Sequence, residues 1–443
     1  MKPAKARGRG GAILKREIGF WEATVYGIGL ILGAGIYALI GEAAGMAGNA
    51  LWMSFVLGAL AASFTGLSYM ELISMFPKAA AEYVYVKNAF RSRMLAFNIG
   101  WVEIFTDVIA TSAVSLGFAG YFSALFSTPI VPVAMALIAA MSVVNFLGIR
   151  ESSRMNFVFS GVELGGLLFV ILLAALFGRS GMAAIDYFEM PNGATGVFGA
   201  AALIFFAYLG FEELANMAEE AKDARRMLPK ALMVSVAVTT VVYVLVSVAV
   251  VSLAPWQELS SSQAPLALAV SKVFGDKAFW LMSVIALFAT ANTVLIGLIV
   301  GSRCIYGMAK DGSLPRQLAD VHRDRGTPWV AVAAAMLLAM AFVMLGNIGI
   351  VASVTDMGTF YIFSLVNAAA ITLRYRMPNA KRAFKTPLNL GRFPLVPAAG
   401  LLFTIALASH LRVDAILIGA GLVAAGVVVH MLYAGVRRKG VIS

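Results

Sequence analysis

Two glycine-rich apolar segments hold the residues whose spacing points most directly to chemistry. The first reads GIGLILGAGIYALIGEAAG and the second reads FFAYLGFEELANMAEE. Glycine costs about 1 kcal/mol relative to alanine inside a helix, so these glycines either permit close helix packing or mark a break. A break around Gly33-Ala34-Gly35 would expose N–H groups and the positive end of a helix, which suit a carboxylate.

The second segment offers the complementary groups. A break near Ala207-Tyr208-Leu209-Gly210 would leave backbone carbonyls that suit an ammonium group. One zwitterionic amino acid would therefore satisfy both breaks with backbone groups alone. Phe206 and Tyr208 are candidates for a lid or a pocket wall, with lipid contact or packing as the alternative.

Isolated carboxyl groups are the next candidates, because ionisable residues inside apolar segments are costly and often functional. Glu163 lies in FSGVELGGLLF with no other charge nearby. We expect it to carry a proton, with a structural hydrogen bond or cation ligation as alternatives. Asp107, one turn after Glu103, would recognise a cationic substrate group or be paired within the bundle. A sodium site would need adjacent hydroxyls, and Thr290 and Thr293 are not adjacent, so the sequence favours protons.

Composition defines the class of protein that must position these groups. The chain has 443 residues, of which 60% are hydrophobic and only 13% are charged, and this excludes an ordinary soluble protein. A single cysteine excludes an intramolecular disulfide and a multi-cysteine metal site. The three histidines are widely separated and form no HExxH pair, so we expect no metal, no cofactor and no enzyme activity.

Segments of about 20 apolar residues predict an all-α integral membrane protein with twelve transmembrane helices. The predicted segments are 18–45, 49–76, 93–126, 129–148, 154–178, 193–218, 228–254, 277–309, 328–347, 349–375, 393–411 and 413–435. With both termini cytoplasmic, 30 of the 34 lysines and arginines fall on the inner side. We therefore expect the basic residues behind the net charge of +11 to set the orientation of the chain in the membrane and to contact anionic lipids, not to bind nucleic acid. We expect a multi-pass protein of the cell membrane.

The two glycine-rich segments are the first and the sixth, which are corresponding positions in two five-helix halves. Paired interruptions of this kind point to an inverted-repeat transporter with a binding site near the bilayer midplane. The expected organisation is a basic tail (1–17), a first repeat (18–178), an inverted second repeat (193–376), two further helices (393–435) and a second tail (436–443).

The chain resembles the amino acid–polyamine–organocation transporter superfamily over nearly its whole length. The resemblance rests on GLILGAGIY, PKAAAEYVY, NFLGIRES, the FFAYLGFEE segment, RCIYGMAKDGSLP and RAFKTPLNLGRFPLVP. It implies a LeuT-like fold of five-plus-five inverted repeats with two extra C-terminal helices and discontinuous helices 1 and 6. The substrate residues that it implies are Gly33, Ala34, Gly35, Ile36, Phe206, Ala207 and Tyr208.

Two departures from the family pattern bear on function. Some proton-coupled relatives carry a basic residue, which is positively charged when protonated, at what resembles the position of Glu163. A carboxyl there would instead be neutral in its protonated state. Ala79-Ala80-Ala81 replaces a glycine pair after helix 2. We expect secondary active transport of amino acids by alternating access and proton symport. An exchanger or a polyamine transporter is the alternative within this superfamily, and a membrane enzyme or a channel is the alternative outside it.

Overall fold

The computed structural model describes residues 18–77, 81–147, 149–178, 185–216, 221–310, 312–323 and 325–438. The predicted tail 1–17, the end of the second tail and two of the three alanines after helix 2 lie outside the described residues. The described residues form seventeen α-helices. Their bounds are α1 Phe20–Ile31, α2 Gly35–Ala47, α3 Leu51–Met75, α4 Ala81–Phe90, α5 Arg93–Phe126, α6 Ile130–Leu147, α7 Ile149–Phe177, α8 Gly193–Ile204, α9 Glu213–Asn216, α10 Ala224–Leu253, α11 Trp256–Ser261, α12 Pro265–Phe274, α13 Asp276–Lys310, α14 Trp329–Val343, α15 Ile348–Arg376, α16 Leu395–Ala408 and α17 Val413–Arg438.

Short elements join these helices. One-turn 3₁₀ helices cover Gly48–Ala50, Phe205–Tyr208 and Arg316–Ala319. Strands β1 (Asn389–Leu390) and β2 (Phe393–Pro394) form an antiparallel hairpin before α16.

Side-chain caps fix the starts of two long helices. The Ser92 hydroxyl accepts a hydrogen bond from the Leu95 N–H at 3.2 Å at the start of α5. The Asn347 side chain accepts one from the Ile350 N–H at 2.9 Å at the start of α15. Each cap satisfies one of the N–H groups that a helix leaves unpaired in its first turn.

The helices are long and apolar, as the composition predicts. Eight stretches of the described chain are long and apolar enough to cross a membrane, and five further apolar helices are shorter. The predicted all-α membrane class is therefore confirmed. Each of the twelve predicted segments overlaps at least one helix of the structure, whereas the count of twelve crossings stays a prediction.

Two interruptions set the geometry of the centre. Residues 32–34 separate α1 from α2. After α8 the chain passes through the 205–208 turn and becomes extended at Leu209. Gly210 then takes a φ of +112°, and a Cβ there would lie 2.8 Å from the Leu30 carbonyl oxygen, so this position requires glycine.

The two interruptions contact each other through their backbones. A Cβ added to Gly35 would lie 2.8 Å from the Cα of Ala207. Around this crossing, α5 packs against α13 and α15, α3 and α1 pack against α10, and α2 packs against α8. Long helices therefore hold the two short non-helical segments in place.

Candidate functional site

A cavity lies between the two interrupted helices and the inner faces of α5, α13 and α15. Its volume is about 820 Å³, including the solvent at its mouth. We call it the central cavity. It is lined by Leu30, Ile31, Gly33, Ala34, Gly35, Thr106, Asp107, Ala110, Thr111, Val114, Phe206, Ala207, Leu209, Gly210, Glu212, Glu213, Thr293, Ile296, Gly297, Val300 and Thr359.

The structure brings most of the predicted substrate residues to this cavity. Seven of the nine line it, namely Gly33, Ala34, Gly35, Asp107, Phe206, Ala207 and Gly210. The other two, Ile36 and Tyr208, do not line it. Ile36 is 1% exposed, and the Tyr208 hydroxyl donates a hydrogen bond to the Phe55 carbonyl at 2.9 Å. The role of all nine in substrate binding stays a prediction.

Thr293 supports the first interruption from α13. Its hydroxyl oxygen accepts a hydrogen bond from the Ala34 N–H at 3.2 Å. Thr290, the other hydroxyl considered for a sodium site, instead donates to the Ala286 carbonyl of its own helix at 2.7 Å. The two threonines therefore have different roles, and only Thr293 lines the central cavity.

Tyr243 of α10 connects the two interruptions, and sequence reasoning missed it. Its hydroxyl contacts the carbonyl oxygen of Ile31 and lies 2.9 Å from that of Ala207. A phenol has a single proton to donate, so the two carbonyls share it. A buried tyrosine needs a polar partner, but nothing in its apolar sequence context indicates which one.

A second, smaller cavity adjoins the central cavity. Its volume is about 350 Å³, including the solvent at its mouth, and we call it the acidic chamber. It is lined by Tyr69, Glu82, Glu103, Thr106, Asp107, Glu212, Glu213, Thr359, Ile362 and Phe363. Five of these residues also line the central cavity, namely Thr106, Asp107, Glu212, Glu213 and Thr359.

Glu82 on the short helix α4 is a residue of the acidic chamber that the sequence analysis did not single out. It is 3% exposed, and its Oε1 accepts a hydrogen bond from the Tyr69 hydroxyl at 2.9 Å. Burial, followed by repulsion from Glu213, raises the pKa of Glu82 to about 7. Its position in the loop between two predicted spans gave no signal that it would be buried.

Glu163 lies on α7 outside both cavities. The residue is 2% exposed, and its Oε1 has no hydrogen-bond partner among the described residues. Its backbone carbonyl accepts a hydrogen bond from the Tyr37 hydroxyl at 2.6 Å. Tyr37 lies in the first turn of α2, so Glu163 is connected to the helix that begins at the first interruption.

In the part of the chain that the structure describes, no group of three histidine, cysteine or acidic side chains is arranged to hold a metal ion. The Cys304 Sγ lies 3.8 Å from the Asp107 Oδ2, beside the central cavity.

Comparison with known proteins places this chain in a family. The family model described as amino acid permease matches residues 18–429. The branched-chain amino acid permease BcaP of Bacillus subtilis (strain 168) is 32% identical, with 96% of this chain and 94% of the relative covered. The methylthioribose transporter of the same organism is 30% identical, with 87% and 86% covered. Cationic amino acid transporter 1 of Arabidopsis thaliana is 30% identical, with 83% and 64% covered.

These matches confirm the resemblance seen in the sequence motifs. They cover both interruptions and the long helices around them. The chain therefore belongs to the amino acid permease family of the amino acid–polyamine–organocation superfamily, and it is a multi-pass membrane transporter, not an enzyme.

Proposed function

We propose that this chain carries amino acids across the membrane by alternating access, with the substrate held between the two helix interruptions. The proposal is supported by the backbone groups at the two interruptions, which are N–H donors at the first and a carbonyl acceptor at the second. The helix α2 begins at Gly35, so the N–H groups of its first turn have no partner within that helix. They are the complement of an α-carboxylate, and the helix dipole adds to the attraction.

The other interruption suits the α-ammonium group. Ala207 lines the central cavity at the end of the 205–208 turn, and its carbonyl lies 2.9 Å from the Tyr243 hydroxyl. A carbonyl oxygen has two lone pairs, so it can accept from an ammonium group while it also accepts from Tyr243. Phe206 lines the same cavity and forms an apolar wall beside these backbone groups.

The proposed architecture is a LeuT-like fold with twelve crossings. Residues 18–178 and 193–376 form the inverted repeats, and 393–435 add two helices. The helix found in each predicted segment supports it, as do the interruptions in the first and sixth segments. Such transporters bind substrate at interrupted helices near the midplane.

The proposed location is the cell membrane, with both termini in the cytoplasm. The distribution of lysine and arginine along the chain supports this orientation. A reporter that is active only in the cytoplasm, fused after residue 443, should be active. Its inactivity would reverse the orientation.

Proton symport through Glu163 is the proposed coupling mode. Its burial and the absence of a described partner for Oε1 support this role, because binding a proton neutralises a carboxyl group that lies away from water. The contact of Tyr37 with the Glu163 carbonyl offers a physical link between this residue and α2.

Uptake of labelled amino acids into proteoliposomes tests both the transport proposal and the proton coupling. We expect saturable uptake that increases with an inward proton gradient. We expect Glu163→Gln to remove the gradient dependence, whereas Glu258→Gln, at a partly exposed position on α11, should keep it. Uptake that is unaffected by the gradient and by Glu163→Gln would refute proton coupling, and counterflow would then identify an exchanger. The absence of both uptake and counterflow for every amino acid would refute the transport proposal.

A further inference from the structure

The acidic chamber extends the central cavity away from the paired backbone groups. Thr106, Asp107 and Thr359 are among the residues that line both spaces, so the two spaces meet at this shared wall. An amino acid whose backbone lies between the interruptions would direct its side chain toward this shared wall.

Acidic side chains from three parts of the chain converge on this extension. They are Glu82 from α4, Glu103 and Asp107 from α5, and Glu212 and Glu213 from the segment after the second interruption. Among the described residues, the charged side chains that line the two cavities are all acidic, and no lysine or arginine lines either cavity. Carboxyl oxygens are acceptors for ammonium and guanidinium groups.

Two buried polar atoms give independent evidence for a ligand at this position. Thr359 is 3% exposed, lines both cavities, and its Oγ1 has no hydrogen-bond partner among the described residues. The Oε2 of Glu82 also lacks a partner within the described chain, although the residue is 3% exposed. A buried polar atom without a partner costs free energy, and a donor group on a ligand would recover it.

We propose that the acidic chamber receives the positively charged end of the substrate side chain, so that the preferred substrates are amino acids with a terminal ammonium or guanidinium group on a flexible stem. This inference rests on the proposed function, because it assumes that the α-carboxylate and α-ammonium groups lie at the interruptions. An apolar side chain of the same length would leave the Thr359 Oγ1 and the Glu82 Oε2 without a donor. Sites built for hydrogen bonding discriminate strongly against ligands that lack the polar group.

Lysine and norleucine are a matched pair of ligands for the test, because norleucine has the same carbon stem without the terminal ammonium. Each is measured by thermal stabilisation of the purified protein and by competition against labelled amino acid uptake. We expect lysine to act at a concentration at least about tenfold lower than norleucine. Norleucine acting at the same or a lower concentration would overturn the inference and leave the transport proposal intact. The failure of every amino acid to bind would instead refute the proposed function.

Two substitutions locate the effect in the acidic chamber. Glu103→Gln and Thr359→Val should each weaken lysine binding by several-fold more than norleucine binding, and Glu258→Gln on α11 should change neither. If Glu103→Gln does not fold, Thr359→Val alone decides, because it keeps the shape of the side chain. Equal weakening of lysine and norleucine in the folded variants would overturn the inference.

Discussion

Replacing Glu71 with glutamine tests how the buried ends of α3 and α15 are held together. Glu71 is 1% exposed and forms ion pairs with Arg374 at 2.6 Å and Arg382 at 3.0 Å. It also accepts hydrogen bonds from the Thr386 N–H at 3.0 Å and hydroxyl at 3.1 Å. One carboxylate therefore connects α3 to α15 and to the loop that precedes β1.

The expected loss follows from the charge balance of this network. Glu71→Gln keeps the size of the side chain but leaves two guanidinium groups without their counter-ion, one of them on Arg374, which is 5% exposed. Removing one partner of a buried ion pair costs about 3–5 kcal/mol. The exposed pair of Arg412 and Asp414 is the control, because such pairs contribute at most about 1 kcal/mol.

Thermal denaturation of the purified protein, followed by size-exclusion chromatography, compares the two variants. We expect a large fall in the midpoint for Glu71→Gln and little change for Asp414→Asn. Equal shifts in the two variants would show that the buried network contributes no more than a surface pair, and the reasoning would be wrong.

Three further predictions concern pH, packing and the connection between the interruptions. The pKa of Glu82 is raised from 4.5 to about 7, so the native state binds this proton more tightly than the unfolded state and stability falls as pH increases from about 4.5 through 7. Glu82→Gln should remove up to about 3 kcal/mol of that fall, measured as the melting temperature at a series of pH values. A pH profile of stability that Glu82→Gln leaves unchanged would contradict this prediction. Gly35→Ala should destabilise the protein by about 1–3 kcal/mol, because the new Cβ would meet the backbone of Ala207. Gly29→Ala is the control, because a Cβ at Gly29 has nothing within 4 Å, and it should not destabilise the protein. Equal melting temperatures for the two variants would contradict this prediction. Tyr243→Phe should cost about 1–3 kcal/mol and slow uptake in proteoliposomes, since two buried carbonyls lose a donor; wild-type melting and uptake would exclude the connection.

The positions of the long apolar helices were predictable because they depend on local composition. A membrane-spanning helix satisfies its backbone hydrogen bonds within itself, so hydropathy alone locates it. The interruptions were also predictable, because glycine is a poor helix former and the glycines at 33, 35 and 210 lie in the first and the sixth predicted segments. At Gly210 the structure adds the physical reason, a positive φ and close contact with α1.

The remaining features depend on contacts between residues far apart in sequence. Tyr243 reaches carbonyls more than thirty residues away, and Glu71 pairs with arginines about 300 residues later. Glu82 was missed because a charged residue in a loop is usually exposed, whereas here α4 folds it into the acidic chamber. Tyr208, expected at the pocket wall, lies with its hydroxyl on α3 because a buried phenol needs an acceptor. Neighbouring residues in a sequence do not reveal such pairings.

Competition by blocked amino acids tests the central claim most directly, because the account requires both α-groups of the substrate to contact the helix interruptions. The amino acid that is transported best would be compared with its carboxamide and with its N-acetyl derivative, each as a competitor of labelled uptake in proteoliposomes. We expect both derivatives to compete far more weakly than the free amino acid, because each removes one charge that the backbone groups at Gly35 or Ala207 would bind. Competition by both derivatives at the same concentration as the free amino acid would contradict the account.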